Sequence, residues 1–143
     1  MHLSSLDGHR PRILAINNDP AVLDLFRDLL EGEGYQVATH HYIDHDLTEI
    51  KTLDPALIVL DYMWATEDGS WSLLQMLRMD PGTAQIPIIL CTGAVREVEA
   101  LGSHLMEMGI TVVLKPFKID QLLSAIQERL GTEQAVQQRS MDG

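Results

Sequence analysis

Side chains suited to phosphoryl chemistry stand at the ends of three apolar runs in this chain. Asp61 follows the run Leu57–Leu60, while Thr92 and Lys115 end two later runs. A carboxylate can act as a nucleophile, a hydroxyl can donate a hydrogen bond, and an ammonium group can balance the charge of phosphoryl oxygens. These three residue types indicate a site for a phosphoryl group, provided that the fold brings them together.

The run Ile13–Ile16 ends differently, because two amides and one acid follow it: Asn17, Asn18 and Asp19. Pro20 comes next, and an acid before a proline is typical of a helix start, where the carboxylate caps the first turn. We therefore expect Asp19 to act first as an N-cap. The two amides bring side-chain oxygens to the same strand end without any negative charge.

The elements that must position these residues are predicted from hydrophobic periodicity. The first helix is predicted from apolar residues at steps of three and four, which share one face: Val22, Leu25, Phe26, Leu29 and Leu30. It should end near Gly32 and Gly34, since glycine suits a left-handed cap. Weaker helical patterns cover residues 44–53, 70–79, 95–108 and 119–130, and Gly131 follows the last of them.

Apolar runs predict five strands, at Ile13–Ile16, Tyr35–Ala38, Ala56–Leu60, Ile86–Cys91 and Thr111–Leu114. Strands and helices in strict alternation predict an α/β fold, with a parallel sheet covered by helices on both faces. In such a sheet functional groups gather at the carboxyl ends of the strands. Asn17, Asp61, Thr92 and Lys115 should therefore meet at one edge.

Composition limits the class of protein. The chain has 143 residues, 45% of them hydrophobic, which predicts one domain with a substantial core. We place that domain at residues 12–131, between polar tails at 1–11 and 132–143, the second being a tail or the start of a linker. A net charge of −11 disfavours nucleic acid and anionic membranes as partners, and a single cysteine fits a reducing, cytoplasmic location.

Three segments resemble the signatures of bacterial response-regulator receiver domains: Asp61–Gly69, Ile88–Gly93 and Leu114–Phe117. Together with the first strand, the resemblance extends from about Arg12 to Gly131. It implies a flavodoxin-like (βα)5 three-layer sandwich with strand order 2-1-3-4-5. It also implies that Asp61 accepts a phosphoryl group from a phosphohistidine, carried by a sensor histidine kinase or a histidine phosphotransfer protein.

The resemblance assigns roles to further residues. Thr92 and Lys115 would hold the phosphoryl oxygens, and the backbone carbonyl of Met63 would join Asp61 as a ligand of Mg²⁺. Asn17 and Asn18 match the acidic pair that holds this ion in the family, with Asn18 as the direct ligand, while Asn17 and Asp19 would act through water.

The chain departs from the family at the metal site and at one switch position. Two amides supply neither of the negative charges that they replace, and Mg²⁺ favours carboxylates. Each lost attraction is worth roughly 4 kcal/mol between unit charges about 4 Å apart, at an effective dielectric constant of about 20. We expect Mg²⁺ binding to be weak or absent. Val112 stands where the family often has a mobile aromatic residue, and valine is short and stiff.

Two functions stay open. The first is a two-component, phosphorelay-type receiver that accepts phosphate on Asp61 with weakened Mg²⁺ binding, and that is an acceptor rather than an enzyme in the usual sense. The alternative is a phosphorylation-independent pseudo-receiver that acts as a protein–protein interaction module. Asp61, Thr92 and Lys115 favour the first function, whereas Asn17, Asn18 and Val112 favour the second. A homodimer is left open in either case.

Overall fold

A computed structural model describes residues 10–17, 19–40, 47–61, 70–93, 95–116 and 118–142. Five strands and five helices alternate along these described residues. The strands are β1 (Arg12–Ile16), β2 (Gln36–His40), β3 (Leu57–Asp61), β4 (Ile88–Thr92) and β5 (Ile110–Leu114), and the helices are α1 (Pro20–Gly32), α2 (Thr48–Leu53), α3 (Ser70–Met79), α4 (Val95–Glu107) and α5 (Ile119–Asp142).

The strands form one parallel sheet in the order β2-β1-β3-β4-β5, which confirms the predicted fold class and strand order. Alternate residues of each strand point to opposite faces. Ile13 and Ala15 of β1 pack against α1 and α5, whereas Leu14 and Ile16 pack against α2, α3 and α4. Both faces are therefore buried, and this explains why the central strands read as continuous apolar runs.

Strand bounds differ from the predicted ones by one or two residues. β2 extends to His40 instead of ending at Ala38. β4 starts at Ile88 instead of Ile86, because Ile86 donates its N–H to Thr83 in the preceding turn and Pro87 has no N–H to donate. α2 starts at Thr48, and part of its predicted N-terminal extension lies outside the described residues.

The buried face of α1 is not quite the predicted one. Leu23, Phe26 and Leu30 are buried, whereas Leu25 is 55% exposed. Leu23, Phe26 and Leu30 are also spaced by three and four residues. The helical pattern was therefore correct, but the buried face is centred on a different side of the helix from the predicted one. The predicted end is confirmed, since Gly34 has a left-handed φ of 94° just after the helix.

The predicted end of the last helix was wrong. α5 does not end at Leu130 but continues through Gly131 to Asp142. One glycine inside a helix costs only about 1 kcal/mol relative to alanine, and the residues that follow include strong helix formers such as Glu133, Gln134 and Ala135. None of the described helices is long and apolar enough to cross a membrane.

Candidate functional site

The carboxyl edge of the sheet brings together most of the residues that were selected from the sequence. Asp61 is the last residue of β3, Thr92 is the last of β4, and Lys115 follows β5. Asn17 follows β1 and is held there because its backbone N–H donates to the carbonyl of His40 at 3.1 Å. Four neighbouring strands therefore supply one residue each.

Lys115 and Asp61 form an ion pair at the carboxyl edge, although their strands, β5 and β3, are separated by β4 in the sheet. The Lys115 Nζ lies 2.6 Å from Oδ1 and 2.7 Å from Oδ2 of Asp61, so the ammonium bridges both carboxylate oxygens. The side chain of Asp61 is only 12% exposed, against 39% for Lys115. The carboxylate is thus the partner that depends more on the pair, because the lysine retains contact with water.

The backbone of Lys115 is tied to the end of the neighbouring strand. Its N–H donates to the carbonyl oxygen of Thr92 at 2.8 Å, and the Lys115–Pro116 peptide bond is cis. Thr92 itself is fully buried. The three residues proposed from sequence for phosphoryl chemistry thus lie on adjoining strand ends, with Asp61 and Lys115 in direct contact.

Asn17 contributes a hydrogen-bond donor to Asp61, which the sequence did not indicate. Its Nδ2 donates to Asp61 Oδ2 at 2.5 Å, and its Oδ1 accepts the N–H of Asp19 at 2.7 Å. The residue is buried, with 7% of its surface exposed. The amide oxygen therefore faces the chain that leads into α1, not the carboxylate of Asp61.

Asp19 is the N-cap of α1, as predicted. Its Oδ1 accepts the N–H of Ala21 at 2.9 Å, its backbone is extended, and Pro20 opens the helix. The carboxylate is used within the first turn of the helix and lies on an exposed residue.

Two further residues line the strands beside the site. Val112, on β5, is half-buried, pairs in register with Leu90 and packs into the core on the α2–α4 side. Cys91 lies opposite Asp61 in the register of β3 and β4 and is fully buried. Burial, with the nearby Asp61 carboxylate, raises the pKa of the Cys91 thiol to about 12. In the sequence this cysteine indicated only a reducing location, although its place one residue before Thr92 already put it beside the site.

Two groups that contact Asp61 in the described part of the chain, the Lys115 ammonium and the Asn17 amide nitrogen, are not ligands for Mg²⁺. Among the described residues no group of three or more His, Cys, Asp or Glu side chains could hold a metal. Asn18 and Met63, which were also predicted as ligands, lie outside the described residues.

The chain is similar in sequence to known response regulators. DNA-binding response regulator MtrA of Mycolicibacterium smegmatis is 31% identical over 126 residues, which are 87% of this chain and 53% of that protein. The dual master transcriptional regulator RpaA of Synechocystis is 32% identical over 120 residues, which are 84% of this chain and 49% of that protein. The chain thus spans about half the length of these curated relatives.

Solved structures share the fold as well. A putative response regulator from Chloroflexus aurantiacus superimposes with a TM-score of 0.70 at 24% identity, covering 85% of this chain and 98% of that one. The family model described as "Response regulator receiver domain" matches residues 13–127, which include every site residue named above and all strand residues except Arg12, the first of β1. This chain belongs to the response regulator receiver domain family.

Proposed function

We propose that Asp61 accepts a phosphoryl group from a phosphohistidine on a partner protein of two-component signalling, either a sensor histidine kinase or a histidine phosphotransfer protein. The observation that carries this proposal is the contact of the Lys115 ammonium with both oxygens of Asp61, beside Thr92 at the end of the adjoining strand. The partner is a protein, since a net charge of −11 disfavours nucleic acid.

The residues of this chain supply position and charge for that transfer. One oxygen of Asp61 attacks phosphorus and forms a P–O bond, while the P–N bond to the donor imidazole breaks. The electron pair of that bond goes to the imidazole, which leaves as the neutral ring because its second nitrogen carries a proton. Lys115 balances negative charge on the phosphoryl oxygens, and the Thr92 hydroxyl is the nearby group that would donate to one of them.

Weak Mg²⁺ binding is part of the proposal. Asn17 points its amide nitrogen at Asp61, so this residue offers no oxygen where a cation would sit. Transfer then depends on Lys115 for most of its charge balance. We expect labelling of Asp61 that is slow and incomplete but present, in a domain that acts as an acceptor and does not turn over a substrate.

Intact-mass spectrometry after incubation with acetyl phosphate, or with a phosphohistidine protein, tests the proposal. The wild-type chain should gain one phosphoryl group slowly, Asp61→Asn should gain none, and Asn17→Asp with Asn18→Asp should gain it faster in Mg²⁺. Asp80→Asn is the matched control, because Asp80 pairs with Lys51 at a different place and its loss should leave labelling unchanged.

Absence of an acyl phosphate in the wild type and in the Asn17→Asp, Asn18→Asp protein would contradict phosphoryl acceptance. The pseudo-receiver would then be the remaining explanation, and Asp61→Asn would leave binding of the partner kinase unchanged.

A further inference from the structure

Three hydrogen bonds connect the phosphoacceptor position to the first turn of α1. Asn17 Nδ2 donates to Asp61 Oδ2 at 2.5 Å, Asn17 Oδ1 accepts the N–H of Asp19 at 2.7 Å, and Asp19 Oδ1 accepts the N–H of Ala21 at 2.9 Å. Asn17 is the buried middle of this series, whereas Asp19 and Ala21 are exposed. The side chain of Asp61, at the edge of the sheet, is thus linked by hydrogen bonds to the exposed N-terminus of α1.

The chemistry of the partners determines the orientation of the Asn17 amide. An ionised carboxylate only accepts hydrogen bonds, and a backbone N–H only donates them. Rotating the amide by half a turn would place its oxygen against the Asp61 carboxylate and its nitrogen against the Asp19 N–H. Both hydrogen bonds would be lost at once, so the two contacts of Asn17 support each other.

We propose that Asn17 is a positioning residue that couples the state of Asp61 to the N-terminus of α1. While Asp61 is a free carboxylate, it orients Asn17, and Asn17 in turn holds the N–H of Asp19 in the capping geometry. Any change that removes the carboxylate charge weakens the charge-assisted bond to Asn17 Nδ2. The amide then loses its orientation, and the cap of α1 loses one of its hydrogen bonds.

The use of this coupling in signalling rests on the proposed phosphoryl acceptance, because an acyl phosphate converts the Asp61 carboxylate into an uncharged acyl group and carries the negative charge on its phosphoryl oxygens instead. The coupling itself does not. It predicts that α1 responds to Asp61 by a route that needs neither Thr92 nor Val112. Since coupling is reciprocal, a partner that binds at the start of α1 would also alter the environment of Asp61.

Amide hydrogen exchange measured by NMR, without any phosphoryl donor, tests the coupling. Asp61→Ala removes the acceptor of Asn17 and should speed exchange of the Asp19 N–H about fivefold relative to the wild type, the factor expected for loss of one ordinary hydrogen bond. The N–H of Gly34 donates to Glu31 at the other end of α1 and is the internal reference for global opening. Asp61→Asn keeps an acceptor oxygen and should give a smaller effect.

Two controls separate this route from general disturbance of the site. Lys115→Ala also breaks the ion pair of Asp61, but it leaves the Asn17 acceptor in place and should not change the ratio of Asp19 to Gly34 exchange. Asn17→Ala removes both the donor to Asp61 and the acceptor of the Asp19 N–H, so Asp61→Ala should have no further effect on Asp19 exchange in that background. The proposal would be overturned if the Asp19 N–H exchanged at the wild-type rate in Asp61→Ala. It would also be overturned if Lys115→Ala speeded that exchange as much as Asp61→Ala does.

Discussion

Asp61 and Lys115 share a contact but differ in exposure, at 12% and 39% of their side chains. Replacing one or the other should therefore lower the free energy of unfolding by different amounts. Lys115→Met leaves a largely buried carboxylate without its ammonium partner, and should lower the free energy of unfolding by about 1 to 3 kcal/mol. Asp61→Asn leaves an ammonium that water can still solvate, and should cost under about 1 kcal/mol.

Urea denaturation of the two single variants and of the double variant gives the coupling energy of the pair. Equal losses in the two single variants, or a coupling energy of zero, would contradict this account of the ion pair.

We expect the uncharged amides of Asn17 and Asn18 to limit the affinity for Mg²⁺. Isothermal titration of the wild-type chain with Mg²⁺ should show weak binding or none at millimolar concentration, because no charge accompanies Asn17 or Asn18. Asn17→Asp with Asn18→Asp should bind Mg²⁺ at least tenfold more tightly. Asn17→Ser with Asn18→Ser is the uncharged control and should stay weak, and equal affinities in the two double variants would contradict the charge argument.

Cys91 links stability to alkaline pH. Burial raises the pKa of its thiol to about 12 in the folded chain, above the value of about 8.5 for an exposed thiol. The unfolded chain therefore releases this proton first as the pH rises, so stability is complete below about pH 8 and declines between the two pKa values. Urea denaturation of the wild type and of Cys91→Ala tests this prediction. The difference in their free energies of unfolding should shift against the wild type by about 1 to 2 kcal/mol from pH 8 to pH 10.

An advantage of wild type that is constant over this pH range would show that the thiol ionises normally. All other ionisable groups are the same in both proteins, so their effect on stability cancels in the difference.

The positions of the site residues could be predicted from the sequence, but the orientation of their polar atoms could not. The meeting of Asp61, Thr92 and Lys115 could be predicted because the carboxyl ends of parallel strands lie at one edge. The direction of the Asn17 amide could not, since it depends on which neighbour donates and which accepts once the chain has folded. The sequence placed two amides at the strand end and said nothing about which amide atom faces Asp61.

At the scale of elements, the ends of α1 were predictable from local chemistry, because Asp19 and Pro20 open the helix and Gly34, with its left-handed φ, follows its end at Gly32. Its buried face was less certain, since Leu23 and Leu25 are both apolar and only packing against the sheet decides which is covered. Contacts of long side chains across elements were not predictable at all. Arg78 of α3 donates to the carbonyl oxygens of Met108, Ala84 and Ile86 and so ties two turns to the helix.

Gly131 lies within α5, where the sequence predicted a helix end. Gly131→Ala should stabilise the part of the helix beyond it by about 1 kcal/mol, because alanine loses less backbone entropy and exposes less backbone to water. Hydrogen exchange of the amides at 132–142 should slow severalfold, while the free energy of global unfolding changes little.

Gly131→Pro is the opposite control and should speed exchange of the same amides, since proline disrupts the helix interior. Unchanged exchange in both variants would mean that these residues do not form a helix in solution.

At the scale of the whole molecule, twenty-one acidic and ten basic residues make the domain repel itself. Raising ionic strength shortens the Debye length from about 30 Å at 0.01 M to about 3 Å at 1 M. The free energy of unfolding should therefore rise with sodium chloride, by an amount on the order of 1 kcal/mol.

Choline chloride distinguishes screening from ion binding, because its large cation does not suit a small carboxylate site. Equal stabilisation by the two salts at the same ionic strength is expected. A clear excess for sodium would instead indicate a specific cation site.

The length of helix α5 beyond the sheet determines how far its end moves when the helix tilts. At a rise of about 1.5 Å per residue, the stretch from Gly131 to Asp142 reaches about 18 Å beyond Leu130. It is a lever arm whose base packs on the sheet through Leu122, Ile126 and Leu130. A tilt of about 10° at that base would move Asp142 by about 3 Å, if the helix stays straight. A small tilt that leaves the buried residues of α5 in place would thus displace the C-terminal end of the helix by about the length of a hydrogen bond.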